Sequence, residues 1–419
     1  MIQKPKGTYD GFGEFVKKYN YIKRIFVDLC NEYNISYIDT PIFESSELYH
    51  RGVGETTDIV TKETYDFKDR GDRDMTLRPE GTAGIVRSVI ENKLYINTPL
   101  KLWYEGPMFR YERPQSGRYR QFRQAGVEVF GDASPLMDAN LISLMVKFYQ
   151  RIGLKGIKVR INSIGNSESR EKYREALLNH FKPHLDDLCD DCVNRYDKNP
   201  LRILDCKVDK DKEYMKNAPK IIDYLDEVSK NHFDKVLKTL DLLEIEYVID
   251  NNLVRGLDYY TDTVFEVEAS IEGFGSQNVI GAGGRYNNLV ENMGGPSLPA
   301  VGFAFGVERI INALDAEDIK VIDDDSLDAY ILPVSENEMD YSINLASFLR
   351  DNAFKVDIDF TNKNMKAKFK EADRYNSKFI IIIGENEVKS EVLTIKDNLT
   401  KEEVKVERDN LLDYLDVNI

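Results

Sequence analysis

The sequence predicts an α+β core of strands flanked by helices, interrupted by a helical insertion and followed by an α/β domain with a mostly parallel sheet. Three observations carry this expectation. Short alternating strands recur across the first three quarters of the chain; the stretch from Arg170 to Leu243 turns into polar helices rich in Lys, Asp and Glu; and an acidic hinge at Glu317 to Asp328 precedes a strand-helix-strand-helix-strand run. With 419 residues, the chain exceeds what one core usually organises.

The first element is an amphipathic helix. In "FVKKYNYIKRIFVDLCNEY", Phe15, Tyr19, Ile22, Phe26, Leu29 and Tyr33 recur near helical spacing, the pattern of a helix packed on a core. Strands follow at "YIDTPIFE", "LKLWYEGPMFRYE", "YRQFRQAGVEVFG", "VRINSIG", "TVFEVEA" and "VGFAFGVERI". In "LVRGLDYYTDTVFEV", Thr263, Phe265 and Val267 alternate with Val264 and Glu266, as a half-buried strand requires. Its opening half places an arginine, a glycine, an aspartate and two tyrosines where that strand should begin, which packing alone does not explain. Beyond the hinge come strand "AYILPV", helix "MDYSINLASFLRDN", strand "KVDIDF", helix "NMKAKFKEADRYNSK", strand "FIIIIGE" and then "VLTIKD". "FIIIIG" is apolar on both faces, as a central parallel strand must be.

Composition excludes several classes. At 42% hydrophobic and 31% charged, the chain is neither disordered nor membranous. Its longest apolar runs are too short to cross a bilayer and "MIQKPKGTYDGFGEF" lacks a signal-peptide core, so a cytoplasmic protein without membrane partners is expected. Four cysteines are too few for a disulfide framework.

The net charge of −16 argues against a protein coated in nucleic acid, yet one segment is locally basic. From Glu105 to Gln124, Arg110, Arg113, Arg118, Arg120 and Arg123 face only two acidic residues and alternate with Tyr111, Tyr119 and Phe122. A solvated hairpin turning at "RPQSGR" would have this composition. So would a site that holds a purine between a ring and a guanidinium, with phosphates on the remaining arginines.

Two further motifs read as structural. Cys189 and Cys192 form a single CxxC with Cys206 as a lone third thiol and His180 and His184 upstream, an incomplete zinc pattern read as buried thiols, so no metal ligand is assigned. "GAGGRY" lacks the GK[ST] of a phosphate-binding loop.

Six segments in order carry a family resemblance. "PIFESSELYHRGVGETTDIVTKETYDF", "MFRYERPQSGRYRQFRQAGVEVFG" and "VGFAFGVERI" resemble the three signatures of class II aminoacyl-tRNA synthetases. "RPEGTAGIVR", "LVRGLDYYTDTVFE" and "GAGGRYNNL" look like the histidyl-tRNA synthetases within that class. The resemblance implies an antiparallel sheet in a catalytic core over residues 1–324, with the helical subdomain inserted at about 170–243, and an anticodon-binding domain over 325–419. It also implies a homodimer formed through the segment around Pro41.

The activity so implied is activation of L-histidine by ATP, with Mg2+ on the phosphates, and transfer of histidine to the 3′ end of tRNA(His). By the same resemblance, Arg110 and Arg255 grip the α-phosphate as catalytic residues and meet the histidine carboxylate. Glu80, Thr82 and Gln124 surround the amino acid's polar end, and Glu128, Tyr259 and Tyr260 read its imidazole. Phe122 and Arg309 sandwich adenine, Glu112 meets the adenine edge and Arg118 the γ-phosphate. Arg113 and Gln115 read the tRNA acceptor end.

The sequence departs from the family at bulky Phe305 and Val307, and at Asn352, Ala353, Asn376 and Ser377, where small residues or glycine are common. Lys363, Lys366, Lys368 and Lys370 are candidates for phosphate contacts in the last domain. A non-catalytic paralogue, regulating ATP phosphoribosyltransferase, would lack that domain and parts of the ATP and histidine signatures. A scaffold built on the last domain alone would leave the ATP arginines unexplained.

Overall fold

Alternation of large and small side chains along the strands sets the architecture. The computed structural model describes residues 2–54, 57, 59–113, 117–204, 206, 208–254, 256–271, 278–321, 326–361 and 363–418. They fall into two compact units, Met1–Val321 and Ile322–Ile419. Residues 322–325, where the sequence places the domain boundary, lie outside the described residues.

The first unit is built on an eight-stranded sheet ordered Ser36–Tyr37, Leu100–Phe109, Gln121–Phe130, Ala300–Gly306, Val279–Arg285, Thr261–Ala269, Ile157–Ser163 and Tyr247–Ile249. The two outermost pairings are parallel and the five between them antiparallel. "YIDTPIFE" divides into two short strands in different sheets, because Phe43–Ser45 pairs with Asp74–Leu77 in a separate three-stranded antiparallel sheet.

One face of the large sheet is its core. Val127, Val129, Val301, Phe303, Phe305, Phe265 and Val267 pack there against helices Glu14–Glu32, Pro135–Arg151, Glu227–Leu242 and Val307–Ala316. Bulky Phe305 stacks on Phe148 with centroids 4.8 Å apart, and Val307 is buried beside it, so neither departure from the family disturbs the opposite face. Two of these helices start where a capping side chain satisfies a free amide: Ser134 accepts from Leu136 and Asp226 from Ser229.

The inserted helical region has a small core of its own from Tyr173 to Ile221. Helix Glu227–Leu242, at the end of the same stretch of sequence, instead puts Phe233, Val236 and Leu240 into the main core.

In the second unit the sheet order is Val356–Ile358, Ala329–Pro333, Phe379–Ile383, Val392–Asp397 and Glu403–Glu407. The first three strands are parallel, and an antiparallel hairpin extends them. Helices Met339–Asp351 and Leu411–Asn418 cover one face and Met365–Arg374 the other. Lys368 corrects its sequence assignment: it is buried, with Nζ donating to the Pro333 carbonyl at 2.7 Å, while Lys363, Lys366 and Lys370 remain exposed. Among the described residues no helix is long and apolar enough to cross a membrane.

Candidate active site

Because side chains alternate along a strand, the residues between the core positions face the other way. On strand Gln121–Phe130 these are Phe122, Gln124, Gly126 and Glu128. Their partners on the next strand are Gly306, Ala304 and Gly302, and Ala282 and Gly284 continue the row beyond. A floor of small residues leaves room above it. The result is a cavity of about 530 Å³.

Eleven of the predicted site residues line this one cavity: Glu80, Thr82, Arg110, Glu112, Arg118, Phe122, Gln124, Glu128, Tyr259, Tyr260 and Arg309. Arg113 is exposed and not among its lining residues. Arg255 and Gln115 lie outside the described residues.

One end of the cavity is a buried carboxylate cluster. Glu80 accepts from the amides of Thr82 and Ala83 at 2.8 and 2.7 Å, so it caps helix Thr82–Glu91, where the helix dipole favours negative charge. Burial nonetheless raises its pKa, opposed by those two amide bonds. The Thr82 hydroxyl donates to Glu128 at 2.7 Å, and the Tyr286 hydroxyl donates to the other Glu128 oxygen. Burial pushes the Glu128 carboxyl up to about 8, with the Glu80 charge adding to it and the two hydroxyl donors opposing it. Burial also holds the phenols of Tyr104, Tyr259 and Tyr286 well above their usual range, so they remain neutral donors. Gln124 Oε1 accepts from the Gly81 amide at 3.0 Å and from the Tyr104 hydroxyl at 3.3 Å.

Cations crowd the other end. Arg110 donates from Nε to the Pro79 carbonyl at 2.9 Å and lies over the Phe122 ring, 5.3 Å from its centroid. Arg118 bonds Glu112 at 3.2 Å. Arg309 donates to the Val279 carbonyl at 2.9 Å, and burial, reinforced by the charges of Arg118 and Arg110, lowers its pKa. Three guanidiniums converging in a partly dry space are poised for a polyanion.

The five-arginine segment therefore divides. Arg120 stacks on Tyr111 at 4.0 Å, and Arg123 stacks on Tyr19 while bonding Glu105 at 2.7 Å. Sequence reasoning missed Tyr286 and Tyr104, whose signal was present in "GAGGRY" and "LWYEG". It also missed buried Glu308, which accepts from the Tyr9 hydroxyl and the Arg123 amide and so ties the Arg309 helix to the Phe122 strand.

The histidyl-tRNA synthetase family profile matches residues 7–310. The chain belongs to that family. A second profile, the anticodon binding domain, matches residues 328–418. The histidine–tRNA ligase of Bacillus cytotoxicus is 48% identical over 416 residues, covering 99% of this chain and 98% of that protein. The histidine–tRNA ligase of Bacillus subtilis is also 48% identical with the same coverage. Among solved structures, apo histidyl-tRNA synthetase of S. aureus superposes with a TM-score of 0.86 at 40% identity, covering 99% of this chain and 100% of that one. For a histidyl-tRNA synthetase the two ends of the cavity are chemically distinct: an amino acid with an imidazole suits the carboxylate end, and a triphosphate suits the arginines.

Proposed function

We propose that this chain is an ATP-dependent histidine–tRNA ligase whose described catalytic residues are those of this cavity. The observation that carries the reading is the juxtaposition, in one space, of the Glu80–Thr82–Glu128–Tyr286 cluster with Arg110, Arg118 and Arg309. A non-catalytic regulator needs neither end intact, and a scaffold would not keep both.

In the first step a carboxylate oxygen of histidine attacks the α-phosphorus of ATP. An acyl–phosphate bond forms, the bond to the β-phosphate oxygen breaks, and pyrophosphate leaves. Arg110 and Arg255 take up the negative charge that builds on the α-phosphoryl oxygens. Glu80 and Thr82, with Gln124, hold the α-amino group, which places the carboxylate toward Arg110. Glu128, Tyr259 and Tyr260 read the imidazole; side chains lacking its two nitrogens leave buried polar groups unpaired and are rejected. Adenine lies between Phe122 and Arg309 with Glu112 at its edge, and Arg118 meets the γ-phosphate. In the second step the terminal hydroxyl of tRNA(His) attacks the acyl carbonyl, forming the ester and releasing AMP, with Arg113 and Gln115 near the acceptor end.

Mg2+ bound to the triphosphate would offset part of its charge. Glu112 and Glu266 are carboxylates on the cavity wall, but both face guanidiniums, Arg118 at 3.2 Å and Arg160 at 3.7 Å. They suit the hydrated ion's water shell better than a protein cage of their own. The homodimer forms through the segment around Pro41, a reading supported by exposed Tyr37, Ile42, Phe43 and Phe67. The cytoplasm is the compartment in which such a chain, with free cysteines, meets tRNA.

Charging of tRNA(His) transcripts with labelled histidine tests the reading. Product that hydrolyses in mild base, as an ester does, is expected; absence of charging with the full chain, ATP and Mg2+ would sink it.

A further inference from the structure

The small core of the inserted region holds a group of side chains that the reaction does not use. Cys189, Cys192, Cys206 and Asp209 converge there, with one ligand atom from each lying within 4.8 Å of all the others. The Cys189 and Cys206 sulfurs are 3.7 Å apart, and the Cys206 sulfur is 3.6 Å from Asp209 Oδ2.

These two separations match the edges of a tetrahedron of ligands around one ion. With Zn–S of about 2.3 Å and Zn–O of about 2.0 Å, a tetrahedral site has edges of about 3.8 Å between sulfurs and about 3.5 Å between sulfur and oxygen. The two sulfurs are much too far apart for a disulfide, which needs about 2.05 Å.

The sequence could not supply the fourth donor. It offered His180 and His184, but both are engaged at Tyr214: His180 Nε2 is 2.7 Å from the Tyr214 carbonyl, and His184 stacks on the Tyr214 ring at 4.5 Å. Asp209 takes the place they were considered for. It is fully buried among the three thiols, a position in which a carboxylate's charge must be matched by close partners.

The surroundings orient the four donors. The Cys189 amide donates to Asp209 Oδ2 at 3.1 Å, the Asp209 amide donates to the Cys206 sulfur at 3.4 Å, and the Lys212 ammonium lies 2.8 Å from Asp209 Oδ1. Cys189 is the N-cap residue of helix Asp190–Lys198 and Cys192 lies in its first turn, so both cysteines sit at a helix N-terminus, where thiolates are favoured. Three thiolates and a carboxylate carry four negative charges, of which a divalent ion offsets two and Lys212 one. Soft sulfur ligands select zinc over magnesium or calcium, and four protein donors leave no open position for substrate.

We propose that Cys189, Cys192, Cys206 and Asp209 form a structural Zn2+ site. It staples together the ends of the segment from Cys189 to Asp209. The middle of that segment grips the loop beside Arg255: Asn199 donates to Asp258 at 3.2 Å, and Arg202 donates to the Gly256 carbonyl at 2.6 Å. Arg195 and Arg202 also line a space shared with Arg110, Arg118 and Arg309. The ion thus holds the inserted region against the active-site loop while remaining outside the chemistry.

The test is elemental analysis of full-length protein purified under reducing conditions without chelator. One zinc per chain is expected. Replacement by Co2+ should give visible d–d bands together with thiolate-to-metal charge transfer. Asp209→Asn should weaken zinc binding by at least about tenfold, the loss that removing even an outer partner produces, and should lower the unfolding temperature. Metal-free protein with all four thiols titratable, and with a melting temperature indifferent to chelator and to added zinc, would overturn the proposal. So would a Cys189–Cys206 disulfide in metal-free protein. Both outcomes are read on the wild type, so they stand even if the variant fails to fold.

Discussion

Glu128 and Gly302 are register partners on adjacent strands, and a Cβ on Gly302 would stand 1.8 Å from a Glu128 carboxylate oxygen. The Glu128 carboxylate, which we propose reads the imidazole, occupies the volume of its neighbour's missing side chain. Gly302→Ala must therefore displace Glu128 or the strand, since the Val127 carbonyl is also within 2.6 Å. Overpacking of this kind costs roughly 1–3 kcal/mol. The variant should melt earlier than the wild type and show a KM for histidine raised about tenfold or more. Gly306→Ala on the same strand, with no atom within 4 Å of its Cβ, should keep its stability within about 0.5 kcal/mol. Equal melting temperatures for the wild type and Gly302→Ala would mean that the strand gives way more easily than this packing allows.

Glu128 also imposes a pH dependence on the free enzyme. Its folded pKa of about 8 lies above the ordinary carboxylate value, so between the two the folded state holds a proton that the unfolded chain releases. The stability contributed by this group is complete below about pH 4.5 and is lost as pH rises through about 8. Glu128→Gln removes that titration. The stability of the wild type relative to this variant should fall, by on the order of a few kcal/mol, between about pH 5 and pH 8. Chemical denaturation of both proteins across that range measures it, and a difference that stays flat or rises with pH would show that Glu128 is ionised in the empty site.

In the second unit, Ala353 follows helix Met339–Asp351 with a φ of 67°, a left-handed conformation that a Cβ disfavours. Its amide closes the helix end on the Arg350 carbonyl at 3.0 Å, so the conformation is held by the cap. Ala353→Gly should stabilise this unit by up to about 1 kcal/mol. A lower midpoint of denaturation in the glycine variant would contradict this.

The three exposed lysines around helix Met365–Arg374 divide by environment. Lys363 lies 3.8 Å from Glu371, leaving Lys366 and Lys370 as the better candidates for phosphate contacts. Reversing both charges should reduce charging of tRNA(His) and the salt dependence of that charging, while histidine activation stays at the wild-type rate. Anticodon substitutions in the transcript should impair the wild-type enzyme as well. Undiminished charging in both experiments would remove the second unit from tRNA selection.

Much of this architecture was legible because it rests on period-two patterns. "VGFAFG" alternates core residues with small ones, and the structure uses both faces as that pattern predicts. Arg110, Arg118 and Phe122 were flagged by the alternation of guanidiniums and rings, but most of the site was legible only through family resemblance, since nothing local says that Glu80 and Glu128 share Thr82. Strand Val279–Arg285 was hidden because glycines at 281, 283 and 284 have weak strand propensity; a Cβ on Gly283 would stand 2.3 Å from the Gly302 carbonyl oxygen and one on Gly284 2.6 Å from that of Thr263. Asp209 was invisible as a partner of the cysteines because aspartate is common and no zinc spacing calls for it. The final hairpin strand, Glu403–Glu407, was missed because it is mostly exposed and charged, as edge strands often are.

The central claim is that the cavity joins histidine to ATP, and exchange of labelled pyrophosphate into ATP tests it most directly. Exchange should depend on histidine and Mg2+ and need no tRNA. Arg110→Ala and Arg255→Ala should each slow it by about 10²–10³-fold while histidine still binds, and lysine at either position should restore it only in part, lacking the planar guanidinium fork. Wild-type protein that shows no histidine-dependent exchange, or arginine variants that exchange at the wild-type rate, would contradict the account.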